Sequence, residues 1–155
     1  KLLGKEKPPR HVLVVPAKNM PQGVAALTAF DPLAADVDDL KKAMEGQMSQ
    51  VQAGEVTQAV RTAEVDGISV THGDFIGLRN GKLVVCGSSL HDVALDLLKK
   101  MEAAKGSLIT IYYGSFVAEA AAQDFAETVR GEYPDQDVEL AYGGQPHYHF
   151  IISVE

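Results

Sequence analysis

Between residues 74 and 86, two apolar runs, Asp74-Phe75-Ile76-Gly77-Leu78-Arg79 and Lys82-Leu83-Val84-Val85-Cys86, are joined by the dipeptide Asn80-Gly81. A two-residue type I′ turn needs positive φ at both central positions, and Asn followed by Gly meets that need with little strain. The stretch is therefore predicted to be a tight antiparallel hairpin, and the rest of the fold must build on it. Two β-α repeats come next. Ser89 with Asp92 has capping-box spacing, and Leu90, Val93, Ala94, Leu97, Leu98 and Met101 form one apolar stripe that ends near Gly106. Leu108 to Tyr113 reads as a strand. Ser115 is predicted to cap a second helix with the stripe Ala118, Ala121, Ala122, Phe125 and Val129, which Pro134 stops. Val138, Leu140 and Tyr142 alternate as a strand, Gly143 to Pro146 turns the chain, and Tyr148 to Val154 returns as a last strand. From Asp74 the order is ββαβαββ. Strands flanking a crossover helix run parallel and hairpin strands antiparallel, so an α/β fold with a mixed sheet flanked by helices is expected.

The first half is read the same way. His11 to Val15 is a short apolar run ended by Pro16, which suits a strand buried on both faces. Pro21 suits the first position of a short helix over Gln22 to Ala29, closed by Pro32. Asp36 is a natural N-cap, with Val37, Leu40, Ala43, Met44, Met48 and Val51 at helical spacing and Asp38 and Asp39 in the first turn. Gly54 is predicted to end that helix. Val56 to Val65 and Ile68 to Val70 read as strands separated by Asp66-Gly67. The opening Lys-Leu-Leu-Gly-Lys reads as a helix tail without an initiating Met, so upstream sequence is expected and the domain reads as N-terminally truncated.

Composition narrows the function classes. Twenty-one acidic against fourteen basic residues give a net charge of −7, which argues against a phosphate-backbone partner. The lone Cys86 cannot form an internal disulfide, and no apolar run approaches the ~20 residues of a membrane span, so a reducing, cytoplasmic setting is expected. Cys86 itself reads as a small packing residue.

Signals for chemistry are sparse. Phosphate loops of the Walker type and a Gly-x-Ser-x-Gly elbow are lacking, so no catalytic residue is assigned. His147 and His149, two apart on one strand face, could share a metal, but no further ligands stand at motif spacing and none is assigned. Two loops stand out as candidate ligand- or partner-binding sites. In the first, Lys18, Asn19, Gln22 and Gly23 lead from a strand into a helix, where backbone amides and Lys18 would face an anion. In the second, Gly144 and Gln145 connect the two C-terminal strands.

Four separated segments carry a family resemblance. Val15-Pro16-Ala17-Lys18-Asn19-Met20-Pro21-Gln22-Gly23 with Ala25-Ala26-Leu27, then Gly54 to Arg61, then Gly73 to Leu78, then Tyr142-Gly143-Gly144-Gln145-Pro146 before Val154-Glu155 resemble the dihydroxyacetone-kinase-like proteins that act as the catalytic subunit of fatty acid kinase. The resemblance implies a single DegV-like C-terminal domain over 1–155, with 1–65 the remainder of a first subdomain and 66–155 the ββαβαββ subdomain. It implies that ATP and magnesium belong to an upstream domain, with no cofactor in this chain. The whole protein would phosphorylate a fatty acid presented by a separate DegV-type fatty-acid-binding protein, which this domain would help engage. Holding an acyl ligand itself is the alternative. The sequence departs from the DegV carriers where they hold the acyl carboxylate with a Thr-His-Thr-Gly-Pro-Gly-like segment, having Gly144-Gln145-Pro146-His147-Tyr148-His149 instead. That departure counts against direct acyl binding.

Overall fold

A computed structural model describes residues 12–65 and 67–155. The predicted hairpin forms as β4 (Phe75–Arg79) and β5 (Lys82–Gly87), with Asn80 and Gly81 at φ 50° and 80°. Its sheet has six strands in the order β5-β4-β1-β8-β6-β7, where β1 is Gln52–Gln58, β6 Leu108–Tyr113, β7 Asp137–Tyr142 and β8 Tyr148–Val154. Only β6 and β7 pair parallel; the other neighbours pair antiparallel. Strands β5, β1, β6 and β7 therefore point one way, and β4 and β8 the other. The predicted ββαβαββ order and the mixed α/β class both stand. β1, which precedes residue 65, lies in the middle of the same sheet.

Side-chain alternation decides what covers each face. Gly54 and Val56 of β1, Phe150, Ile152 and Val154 of β8, and Ile109 and Ile111 of β6 point to one side. There they pack against α3 (Leu90–Lys100) and α4 (Glu119–Glu132). Leu97, Leu98, Met101, Phe125 and Val129 from those helices are fully buried, each worth about 1.5–3 kcal/mol of transfer free energy. The α3 helix sits close because Gly54 and Gly77 carry no side chain. A Cβ on Gly54 would come 2.5 Å from Met101 Sδ and 3.1 Å from Leu97 Cδ2, and one on Gly77 would come 3.4 Å from Leu97 and 2.6 Å from Val85 Cγ1 on the neighbouring strand. On the opposite face Ala53, Ile151 and Ser153 are buried beneath α1 (Met20–Thr28), which pairs with α2 (Val37–Gln50). A small hairpin of β2 (Ala63–Val65) and β3 (Ile68–Val70) folds over Leu83 and Ile76. Cys86 packs there too, its thiol donating to the Ser69 carbonyl at 3.4 Å.

Local signals hold at several helix starts. Asp36 accepts from the Asp38 and Asp39 amides at 2.8 and 3.0 Å, and Ser89 accepts from the Asp92 amide at 3.3 Å. Elsewhere tertiary pairing overrides them. The expected strand ending at Val15 does not form: residues 12–15 have no strand beside them among the described residues, and Val12 and Val14 are exposed. α1 starts at Met20 rather than after Pro21, because Asn19 supplies the cap. Gly54 does not end α2; it lies inside β1, where α3 needs the space. The Val56–Val65 run is split, since β1 ends at Gln58. Ser115 caps nothing. Its amide donates to the Gln145 carbonyl at 3.1 Å, and the second helix begins four residues later, at Glu119. β7 and β8 are not neighbours, because β8 inserts between β1 and β6. The expected helix tail at Lys1–Lys5, His11 and Asp66 lie outside the described residues.

Candidate functional site

Strands β1, β6 and β7 all present their carboxyl ends at one edge of the sheet, where ligands commonly bind in open α/β folds. Gly114 follows β6, Gly143 follows β7, and both connections turn back toward the start of β8. Three backbone bonds lock them together: Gly114 N–H to the His149 carbonyl (2.9 Å), Ser115 N–H to the Gln145 carbonyl (3.1 Å) and Gly143 N–H to the Tyr113 carbonyl (3.0 Å). The Gln145 side chain donates to the Tyr112 carbonyl at 3.0 Å, and its Oε1 is buried without a partner. Gln145 thus fixes the β7–β8 connection, with Gly144 beside it at φ 64°.

This scaffold frames a cleft of about 320 Å³ lined by Thr57, Gln58, Val60, Phe116, His147 and His149. Both histidines line this cleft, but not as one strand face: β8 begins at Tyr148, so His147 lies in the turn before it. His147 sits in the left-handed region at φ 71°, uncommon for a residue with a side chain, and the Thr57 hydroxyl donates to its carbonyl at 2.5 Å. The His149 ring meets Phe75 edge-on at 5.2 Å, and its Nδ1 is buried without a partner. Burial holds the His149 pKa below the ordinary 6.5, so the ring is neutral near pH 7. Phe116 and Val60 stand exposed at the rim. Neither was singled out from sequence. The signal for Phe116 was a lone aromatic among small and polar residues between a strand end and a helix start. Among the described residues, no group of three or more His, Cys, Asp or Glu side chains could hold a metal.

Thr57, Gln58 and Val60 also line a second cleft, about 390 Å³, between the β2–β3 hairpin and the sheet. Its walls are apolar, with Ala63, Val65, Val70, Ile76, Leu78 and Leu83.

Lys18, Asn19 and Gln22 line a third cleft, about 470 Å³, with Glu55, Asn80 and Tyr148; Gly144 and Gln145 line none of it. The two candidate loops are therefore not one site. At the first loop, two backbone amides are already engaged within the loop. The Gln22 amide donates to Asn19 Oδ1 (3.1 Å), the Lys18 amide to Gln22 Oε1 (3.0 Å), and Pro21 has none to offer. Glu55 adds a carboxylate there, its pKa raised by burial. Gly23 sits in the first turn of α1 against Ala17.

Comparison with sequence families matches residues 3–155 to the FakA-like C-terminal family, the C-terminal domain of proteins resembling the A component of fatty acid kinase. An uncharacterized protein of Staphylococcus haemolyticus is 34% identical over 143 residues, and one of Staphylococcus aureus 32% identical over 145. These alignments take in 92% and 94% of this chain but 26% of each relative. In fold, the chain is similar to the crystal structure of the Streptococcus pneumoniae fatty acid kinase (Fak) B3 protein loaded with linoleic acid. The TM-score is 0.51 at 15% identity, over 77% of this chain and 50% of that one.

Proposed function

Because the chain belongs to the FakA-like C-terminal family of fatty acid kinase, we propose that it is the recognition domain of an ATP-dependent fatty-acid-phosphorylating protein of the dihydroxyacetone-kinase-like group. In this reading it is not catalytic by itself and works in the cytoplasm. ATP and magnesium are handled by an upstream domain, and this domain engages a DegV-type fatty-acid carrier. The observation that carries the reading is the rim at the carboxyl ends of β1, β6 and β7. Phe116 is 66% exposed on the loop that the Gly114 and Ser115 amides tie to His149 and Gln145, and Val60 is 85% exposed next to Ala59, which exchanges backbone bonds with Asp74 and Gly73. An exposed aromatic on a fixed loop beside a polar cleft is the composition of an interface anchor. In a binding assay between the intact parent and a DegV-type carrier, Phe116→Asp should raise Kd about tenfold or more. Its Tm should stay unchanged, since Phe116 lies outside the core. Unaltered affinity would refute the assignment of the rim, and nucleotide turnover by the isolated 155-residue chain would refute the non-catalytic reading.

The apolar cleft beneath the β2–β3 hairpin favours a second reading, in which the domain holds an acyl chain with its polar end toward His147 and His149. Native mass spectrometry of the expressed chain separates the two. A lipid adduct lost in Leu83→Glu supports holding; clean protein after incubation with long-chain fatty acid opposes it.

A further inference from the structure

Glu55 is an unexpected residue for the place it holds. It occupies the middle of β1, and its cross-strand neighbours are Leu78 on β4 and Ile151 on β8. Neither can pair with a carboxylate, and among the described residues no ion pair reaches it. Half-burial raises its pKa, and no nearby charge offsets the effect. An apolar side chain would suit those two neighbours better, because a part-buried charge without a partner costs stability. Glu55 faces the cleft of about 470 Å³ that Lys18, Asn19, Gln22, Asn80 and Tyr148 also line. These residues come from the loop and first turn of α1, the hairpin turn and the start of β8. Lys18 brings the opposite charge to the same cleft, yet it forms no ion pair with Glu55 or with any other described residue. Two side-chain amides stand between these charges in fixed orientation. Gln22 Oε1 accepts from the Lys18 amide at 3.0 Å, which leaves the Gln22 NH2 group spare. Asn80 is tied to Ala53 in both directions, its amide donating at 2.8 Å and its Oδ1 accepting at 3.0 Å, so its NH2 group is spare as well.

We propose that this cleft binds a small zwitterion of the amino acid class, with its ammonium group received by Glu55 and its acid group by Lys18 and the spare Gln22 and Asn80 amides. Two opposite charges that share a cleft without pairing are matched by a ligand that carries both. A simple anion would satisfy Lys18 but meet the Glu55 carboxylate, and a simple cation would leave Lys18 and the two amides without an acceptor. The volume suits a whole small molecule, lying within the range of about 300–1,000 Å³ usual for such sites. Few polar groups are needed there if each is held in place, and the bonds to Lys18 and Ala53 hold two of them before any ligand arrives. None of these residues lines the cleft at the Phe116 rim except through the chain neighbours His147 and His149 of Tyr148, so the proposal stands whether or not a carrier docks there.

Heteronuclear NMR of the full chain, titrated with glycine, β-alanine and γ-aminobutyrate, tests the site, with acetate and ethylamine as single-charge controls. The three zwitterions differ in the distance between their charges. The best of them should saturate with a Kd of about 1 mM or tighter, about tenfold or more below either control, and shift the Glu55, Asn80 and Tyr148 amides. Glu55→Gln and Lys18→Met should each raise that Kd about tenfold or more. Glu55→Gln keeps the side-chain shape and removes a charge that burial opposes, so its melting temperature should not fall. Three results would overturn the proposal: no saturation by any of the three zwitterions at about 10 mM, acetate binding as tightly as the best of them, or affinity unchanged in Glu55→Gln.

Discussion

Replacing Gly114 by alanine tests the scaffold of the candidate site where backbone crosses backbone. Gly114 is buried where the end of β6 crosses the β7–β8 connection. A Cβ there would fall inside the van der Waals shell of the Tyr148 carbonyl oxygen and 2.8 Å from that of Gln145. Both neighbours are backbone, so no side chain can swing away; the connection itself has to move. That movement strains or breaks the Gly114 and Ser115 amide bonds to His149 and Gln145. Each is worth about 1 kcal/mol net, with more lost if a buried group is left unpaired. Forcing volume into a packed site adds about 1–3 kcal/mol. The sum is about 3–5 kcal/mol, a fall of roughly 10–15 °C in melting temperature for a domain of this size. Urea unfolding followed by far-UV circular dichroism measures it, with the slope m checked for constancy. A loss below about 1 kcal/mol would show that the crossing yields easily and that the rim is not held rigid.

Gly46 provides the opposite case: it lies exposed inside α2 with nothing within 4 Å of a Cβ, so Gly46→Ala should stabilise by about 0.5–1 kcal/mol in the same assay. Ser89→Ala removes the side-chain cap of α3 and should cost about 1 kcal/mol, read as an earlier urea midpoint at unchanged m. His149 should impose a pH dependence. Its folded pKa lies below the ordinary 6.5, so the unfolded chain takes up the proton first, and stability falls as pH drops from 6.5 through the folded value. Melting curves of His149→Phe over that range should show a shallower slope. Glu55→Gln should stabilise at neutral pH, since burial opposes the charge on Glu55 and raises its pKa.

Signals that depend on a few adjacent residues were legible in the sequence. Asn80-Gly81 fixed the hairpin because its turn geometry is local, and Asp36 and Ser89 announced helix starts because a cap bonds within three residues. Where a residue serves a distant partner, the same chemistry misled. Gly54 looked like a helix stop, yet it is glycine because Met101, 47 positions away, occupies the space. Ser115 looked like a cap, yet it answers to Gln145. Lys18 and Asn19 form the turn their sequence suggests, but nothing local revealed that Glu55 would face them. His147 and His149 were expected on one strand face, but β8 begins at Tyr148, and His147 reaches the cleft from a left-handed turn before it. Their companions come from two other places, Thr57 and Val60 at the end of β1 and Phe116 after β6, both strands that pair with β8.

The placement of β8 has a consequence for how the protein is made. β8 is synthesised after every other strand of its sheet, yet it stands in the middle, joining the half built from β5, β4 and β1 to the half built from β6 and β7. Glu155, just past its end, bonds with Leu108 in both directions. While β8 is still inside the ribosomal exit tunnel, the two halves wait with open apolar edges that invite misassembly. Removing the chain from Tyr148 onward should therefore leave two half-sheets with no strand between them.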